Sequence, residues 1–150
     1  MNRNSSSRYW INSWQEVAKM EKKKILLVDD EEDVLRTVGF RLQSIGYDVV
    51  TASDGMEGLN KAHEEKPDLI ILDLMLPKMH GYKVCAFLKK DTRYAKIPII
   101  MFTAKAGDLD KKLGLEVGAD AYVMKPFEPP ELIKTIEGLL AKNNIDKKSG

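Results

Sequence analysis

The amino-acid sequence predicts an α/β fold, a doubly wound five-stranded parallel sheet with helices on both faces, on three observations. Short, nearly continuous apolar runs alternate with segments whose apolar residues recur at helical spacing, as in strands buried on both faces and joined by crossover helices. The runs are too short to be buried helices and are bounded by Pro, Gly and charged residues. Charged residues stand where three of the runs stop: Asp29-Asp30, Asp73 and Lys125. Open α/β sheets gather ligand chemistry just outside the carboxyl ends of their strands.

Residues 1–19 differ in composition from the rest of the chain, holding both tryptophans (Trp10, Trp14), four serines, three asparagines and one lysine. Residues 21–142 hold one asparagine, Asn60, and one glutamine, Gln43. That break beside Met20 marks residues 1–20 as an N-terminal extension outside the domain, which is expected over residues 21–142 with a polar tail over 143–150. The leader has a second reading. Ser13 and Glu16 have capping-box spacing, and Trp10, Trp14, Val17 and Ala18 can share one face of a short amphipathic docking helix.

After three lysines, Ile25-Leu26-Leu27-Val28 reads as the first strand, cut off by Asp29-Asp30-Glu31-Glu32-Asp33. Val34, Leu35, Val38, Leu42 and Ile45 then recur at helical spacing, behind acids that favour the positive amino end of a helix, and Gly46 stops it. Residues 47–52 are β-rich, residues 56–65 are helical, and Pro67 opens the stretch around which the chain is organised. There Leu69-Ile70-Ile71-Leu72 leads directly into Asp73, and Pro77 shows that the strand has ended. A lone carboxylate inside an apolar strand is costly, so Asp73 is expected at the strand's carboxyl end, near water and a cation.

Gly81 opens a helix carrying Val84, Cys85, Phe87 and Leu88, and residues 97–102 form the fourth strand. Residues 108–117 are a weaker fourth helix (α4), because Gly107, Gly114 and Gly118 lie in or around it and an interior glycine costs about 1 kcal/mol against alanine. Ala121-Tyr122-Val123-Met124 is the fifth strand. Pro129-Pro130 lead into a last helix with Leu132, Ile133, Ile136, Leu139 and Leu140 inward. Five strands alternating with five helices imply right-handed crossovers and a flavodoxin-like (βα)5 sheet in the order 2-1-3-4-5. Its switch point lies between strands one and three, which puts Asp29 and Asp30 beside Asp73.

At 150 residues, 43% of them hydrophobic, the chain suits one domain that buries roughly 70% of its unfolded surface. Lys+Arg 24 against Asp+Glu 23 leaves a net charge of +1, so no general attraction to nucleic acid or anionic lipid is expected. One cysteine, Cys85, excludes an internal disulfide. No apolar run approaches the ~18 residues of a membrane span or matches a secretory leader. The expected location is cytoplasmic, with no membrane contact.

Three carboxylates at one sheet edge repel one another, and a hard divalent cation with oxygen ligands relieves that; magnesium fits best. Counting −3 from Asp29, Asp30 and Asp73, +2 from the metal and +1 from Lys125, the local charge sums to zero. A phosphoryl group entering such a site meets a metal, an ammonium and a carboxylate able to attack phosphorus, which is covalent catalysis through an aspartyl phosphate.

Leu27-Val28-Asp29-Asp30-Glu31, Asp73-Leu74-Met75-Leu76-Pro77, Thr103-Ala104 and Lys125-Pro126-Phe127 together resemble the receiver domain of two-component response regulators, over about residues 22–142. Each motif alone is weak; four in order, each at the carboxyl end of an expected strand, are specific. The resemblance implies that Asp73 is the phospho-acceptor and that Asp29, Asp30, Asp73 and the backbone carbonyl of Met75 hold Mg2+. It also implies that Thr103 and Lys125 contact the phosphoryl group, that Tyr122 is the aromatic that changes rotamer, and that the peptide before Pro126 is cis. The implied donor is a sensor histidine kinase or a histidine phosphotransfer protein. The implied output surface is the α4-β5-α5 face of the fourth helix, fifth strand and last helix. A stand-alone receiver, monomeric or weakly dimeric on phosphorylation, is expected, with a receiver cut from a longer regulator bearing a DNA-binding or enzymatic output domain as the alternative.

Plainer readings stand beside these. The acid run could be only a solvated helix start, Lys125 a surface lysine, Thr103 a strand-end hydroxyl and Tyr122 a half-buried strand residue; their shared location favours the site. Cys85, Met101 and Met124 read as core, and His63 and His80 lack partners at ligand spacing. A phosphatase using an aspartyl phosphate would need a second acid at position 75, where Met75 stands. A flavin carrier would need a Ser, Thr and Gly-rich phosphate loop where five acids stand.

Overall fold

The computed structural model describes residues 22–103, 116–125 and 129–149. Its strands are β1 (Lys24–Val28), β2 (Asp48–Ala52), β3 (Leu69–Leu72), β4 (Ile99–Thr103) and β5 (Ala121–Met124). Helices α1 (Glu32–Ser44), α2 (Gly55–Glu65), α3 (Gly81–Lys90) and α5 (Pro129–Ser149) separate or follow them. The expected leader, most of α4 and the peptide before Pro126 lie outside the described residues. All strand pairs are parallel and the order is β2-β1-β3-β4-β5, the expected doubly wound arrangement.

Alternation along each strand sends neighbouring side chains to opposite faces, so a run apolar at every position must be covered twice. Leu26, Val28, Ile70, Leu72, Ile99 and Met101 face one cluster with Ala62 of α2 and Val84, Cys85 and Leu88 of α3. Ile25, Leu27, Leu69, Ile71, Ile100, Phe102 and Val123 face the other, with Val38 and Leu42 of α1 and Leu132, Ile136 and Leu140 of α5. Each fully buried Leu or Ile contributes about 1.5–3 kcal/mol. Cys85 is plain core: burial pushes its thiol up to about 11, which leaves it protonated and unreactive at neutral pH.

Local signals set the element ends. Asp54 caps α2, its carboxylate accepting from the Glu57 amide at 2.8 Å. Gly46 takes a φ of 107°, a conformation that ends α1 at no steric cost. Two bounds differ from expectation by more than one residue. β4 starts at Ile99 because Ile97 closes a turn on the Tyr94 carbonyl at 3.0 Å, and α5 runs on to Ser149 through residues read as a polar tail. Residues 143–149 contain neither Gly nor Pro, so polarity alone does not stop the helix. Among the described residues, no helix is long and apolar enough to cross a membrane.

Candidate functional site

The sheet's hydrogen bonding continues one residue past β1 and β3, and this places the site. The Asp29 amide donates to the Ala52 carbonyl at 3.1 Å and the Asp73 amide to the Val28 carbonyl at 2.9 Å. Both aspartates are thereby fixed at one level of the carboxyl edge, on adjacent strands. Among the described residues they are the buried polar or charged ones, Asp29 0% and Asp73 5% exposed. Asp30 is exposed beside them, and one carboxylate oxygen from each of the three lies within 4.8 Å of the others.

Lys125 follows β5 and extends across the end of β4, its Nζ 5.0 Å from the Phe102 ring centroid. Its ammonium donates to Asp29 Oδ2 at 2.5 Å, to Asp73 Oδ2 at 3.3 Å and to Glu31 Oε1 at 3.3 Å. Burial raises the Asp29 carboxyl's pKa, and the hydrogen bonds from Lys125 and the Glu31 amide only partly offset it, with the Asp73 charge adding to the rise. For Lys125 burial is the largest single effect and acts downward. The hydrogen bond to Asp29 and the charges of Asp73 and Asp29 together outweigh it, so the ammonium is held above its ordinary value. A protonated lysine bound by more acids than it can neutralise is the electrostatic signature of the site.

Thr103 ends β4, paired with Met124 of β5, so its backbone lies at the same edge; its side chain lies outside the described residues. Tyr122 pairs with Met101 and packs, half-buried, against the α2/α3 face. The Met75 amide donates to Asp73 Oδ1 at 3.2 Å, orienting the carboxylate from its own loop. The structure thus brings Asp29, Asp30, Asp73 and Lys125 into one cluster.

Two contributors escaped the sequence reading. Glu31 supplies a third acid to Lys125, and its amide donates to Asp29 Oδ1 at 2.8 Å; its place in the acid run was the available signal. Counting it, four carboxylates and one ammonium leave a formal −3, although Glu31 is 60% exposed and largely screened. Gly81 is the other: a Cβ there would fall on the Asp73 carbonyl oxygen and lie 3.0 Å from Leu74 Cα. Only glycine lets α3 begin against the backbone of Asp73.

The donor set fits a hard cation. Its atoms are carboxylate oxygens without sulfur or imidazole, close together and in excess of the local positive charge, which matches magnesium rather than zinc or copper.

Residues 25–137 match the family model for the response regulator receiver domain. Over 123 residues the chain is 50% identical to the alkaline phosphatase synthesis transcriptional regulatory protein PhoP of Bacillus subtilis, covering 82% of this chain and 50% of that protein. The chain spans about half the length of the curated relatives it matches. A CheY-like response regulator receiver domain protein of Methanospirillum hungatei superposes with a TM-score of 0.79 at 33% identity, over 87% of this chain and 100% of that one. The receiver domain of a Pseudomonas aeruginosa sensor histidine kinase, solved with a magnesium ion coordinated in its active site cleft, superposes with a TM-score of 0.75 at 29% identity, over 80% and 98% of the chains.

Proposed function

The chain belongs to the response regulator receiver family, and we propose that it accepts a phosphoryl group on Asp73. One observation carries this: Asp73 is almost wholly buried, yet one of its oxygens faces Lys125 and the carboxylates of Asp29 and Asp30 at the open sheet edge. The Met75 amide holds the other oxygen.

In the proposed step an Asp73 oxygen attacks phosphorus and the bond to the donor's imidazole nitrogen breaks, the electron pair leaving with that nitrogen. Lys125 already points at Asp73 Oδ2 and neutralises negative charge as it shifts onto the phosphoryl oxygens. Asp29, Asp30, Asp73 and the Met75 carbonyl would hold magnesium, which would supply Lewis-acid chemistry there when bound. Asp29 anchors the ammonium, and Glu31 Oε1 accepts from it at 3.3 Å. Thr103 donates to the new phosphoryl group, and Tyr122 changes rotamer with it. The protein thus promotes its own phosphorylation and dephosphorylation without being an enzyme toward other substrates.

The donor we propose is a histidine kinase or a histidine phosphotransfer protein, the compartment is the cytoplasm, and the α4-β5-α5 face is the output surface. The domain is proposed to be monomeric or weakly dimeric on phosphorylation, and not to touch nucleic acid itself. The relatives named as transcriptional regulators favour a second reading, in which a receiver like this one is the input half of a longer regulator; the mass of the protein in its source cells distinguishes the two. For the acceptor, a small phosphodonor with magnesium should add one phosphoryl mass to the wild type and none to Asp73→Asn. Equal labelling of both would exclude Asp73.

A further inference from the structure

We propose that the turn between β2 and α2 is a brace that positions the loop after Asp73, which makes Asp54 and Gly55 positioning residues for phosphoryl transfer. This rests on Asp73 being the acceptor. Two contacts join turn to loop: the Gly55 amide donates to the Pro77 carbonyl at 3.2 Å, and Asp54 Oδ2 lies 3.5 Å from Lys78 Nζ. Lys78 holds a φ of 68°, the left-handed region that a side chain with a Cβ adopts when its surroundings impose it. The fit is close. A Cβ at Gly55 would fall on the Met79 carbonyl oxygen and lie 2.7 Å from Met79 Cβ. Backbone cannot rotate aside as a flexible side chain does, so a larger residue at position 55 must push the loop.

That loop carries the site at both ends. The Met75 amide orients Asp73 Oδ1 at 3.2 Å, and the Gly81 amide donates to the Leu74 carbonyl at 2.9 Å while Gly81 packs on the Asp73 carbonyl. With Asp73 to Met75 tied at one end and Gly81 at the other, displacement of Met79 is passed to the direction of the Asp73 carboxylate rather than absorbed by the core. The Gly55 backbone contact outweighs the ion pair, because Lys78 is 69% exposed and that pair is screened. Asp54 acts chiefly by holding the first turn of α2 through the Glu57 amide, which fixes the direction of the Gly55 N–H.

A turn that merely caps α2 would lower stability when altered and leave the chemistry alone. A brace lowers the rate beyond what lost stability explains. The full chain is compared as wild type, Gly55→Ala, Asp54→Ala, the conservative Asp54→Asn, and Leu140→Ala, a core change on the opposite face of the sheet that serves as the stability reference. Two quantities are read: the rate of phosphoryl mass gain from a small phosphodonor with magnesium, and amide exchange over residues 74–81 without donor or metal. Gly55→Ala should label on the order of 10- to 100-fold more slowly, the cost of a misplaced reacting group, and should exchange faster over 74–81. Asp54→Ala should change both in the same direction by less, Asp54→Asn should recover most of the loss, and Leu140→Ala should label at the wild-type rate. If Gly55→Ala does not fold, the Asp54→Ala and Asp54→Asn pair decides. Variants of the turn that label like Leu140→Ala, with exchange over 74–81 unchanged, overturn the brace. Faster exchange in Gly55→Ala alongside a wild type that takes no label would show that the turn holds the loop but would sink the acceptor reading, and with it the positioning role in phosphoryl transfer.

Discussion

At the amino edge of the sheet Lys89 directs its ammonium at two carbonyls and one carboxylate, whereas at the carboxyl edge Lys125 directs its own at three carboxylates. Lys89 Nζ donates to the carbonyls of Ala95 at 3.1 Å and Ile97 at 2.8 Å and to Asp120 Oδ2 at 2.8 Å. The same Asp120 oxygen accepts from the Ile99 amide at 2.8 Å, so this single pair closes the start of β4 against the end of α3. The three ammonium hydrogens meet three acceptors there, and one positive charge meets one negative. Around Lys125 the acids outnumber the cation, Asp29 is wholly buried, and the imbalance persists until a cation or a neutralising change arrives. A lysine and an aspartate in contact are therefore no sign of function; the sign is a charge count left unbalanced among the described residues.

Substitutions at the two edges should separate these roles, and the largest effect falls on Lys125. Lys125→Ala leaves the buried Asp29 carboxylate without its cation, and urea unfolding at pH 7 should show a loss of about 3 kcal/mol. The penalty should shrink toward pH 4. Because the folded-state pKa of Asp29 already lies above its unfolded value, stability is lost as pH rises from the unfolded value through the folded one, and removing the ammonium enlarges that loss. A penalty independent of pH would mean that Lys125 acts through packing.

Lys89→Ala should cost about 2 kcal/mol, since it strips a donor from two carbonyls and a half-exposed acid. Phosphoryl labelling should proceed at the wild-type rate; slowed labelling would place the amino edge in the mechanism. The smallest effect has the opposite sign. Asp73→Asn removes one of the acids crowding Asp29, and thermal or urea unfolding should show a gain of about 1 kcal/mol together with the loss of labelling. A clear loss of stability would show that the Lys125 contact to Asp73 matters more than the repulsion it relieves.

Much of this was legible in the sequence because it depends on short-range pattern. Apolar runs at every position forced a sheet covered twice, and Asp29, Asp73 and Lys125 stood out as charges ending such runs. Chain order and handed crossovers then sufficed to bring strands one and three together. What could not be read depends on contacts across the chain. Gly81 read only as the opening of a helix and Gly55 carried no reading at all, and only the approach of Met79 and Asp73 backbone shows that a Cβ is excluded at either place. Glu31 was lost among five acids, because the sequence cannot say which of a run of identical charges faces inward. The continuation of α5 to Ser149 was missed since a change to polar composition does not end a helix where neither Gly nor Pro stops it.

The carboxyl edge is left negative for a cation while the amino edge is complete, and thermal unfolding with and without magnesium tests that contrast most directly. Binding to the folded state alone raises stability by RT ln(1 + [L]/Kd). Magnesium at about 100-fold above its Kd should therefore add about 2.7 kcal/mol to the wild type, and chelation should remove it. Asp30→Ala should lose most of that gain, while Asp120→Asn, although less stable from the start, should keep all of it. A magnesium response retained in Asp30→Ala, or lost in Asp120→Asn, would contradict the assignment of the two edges.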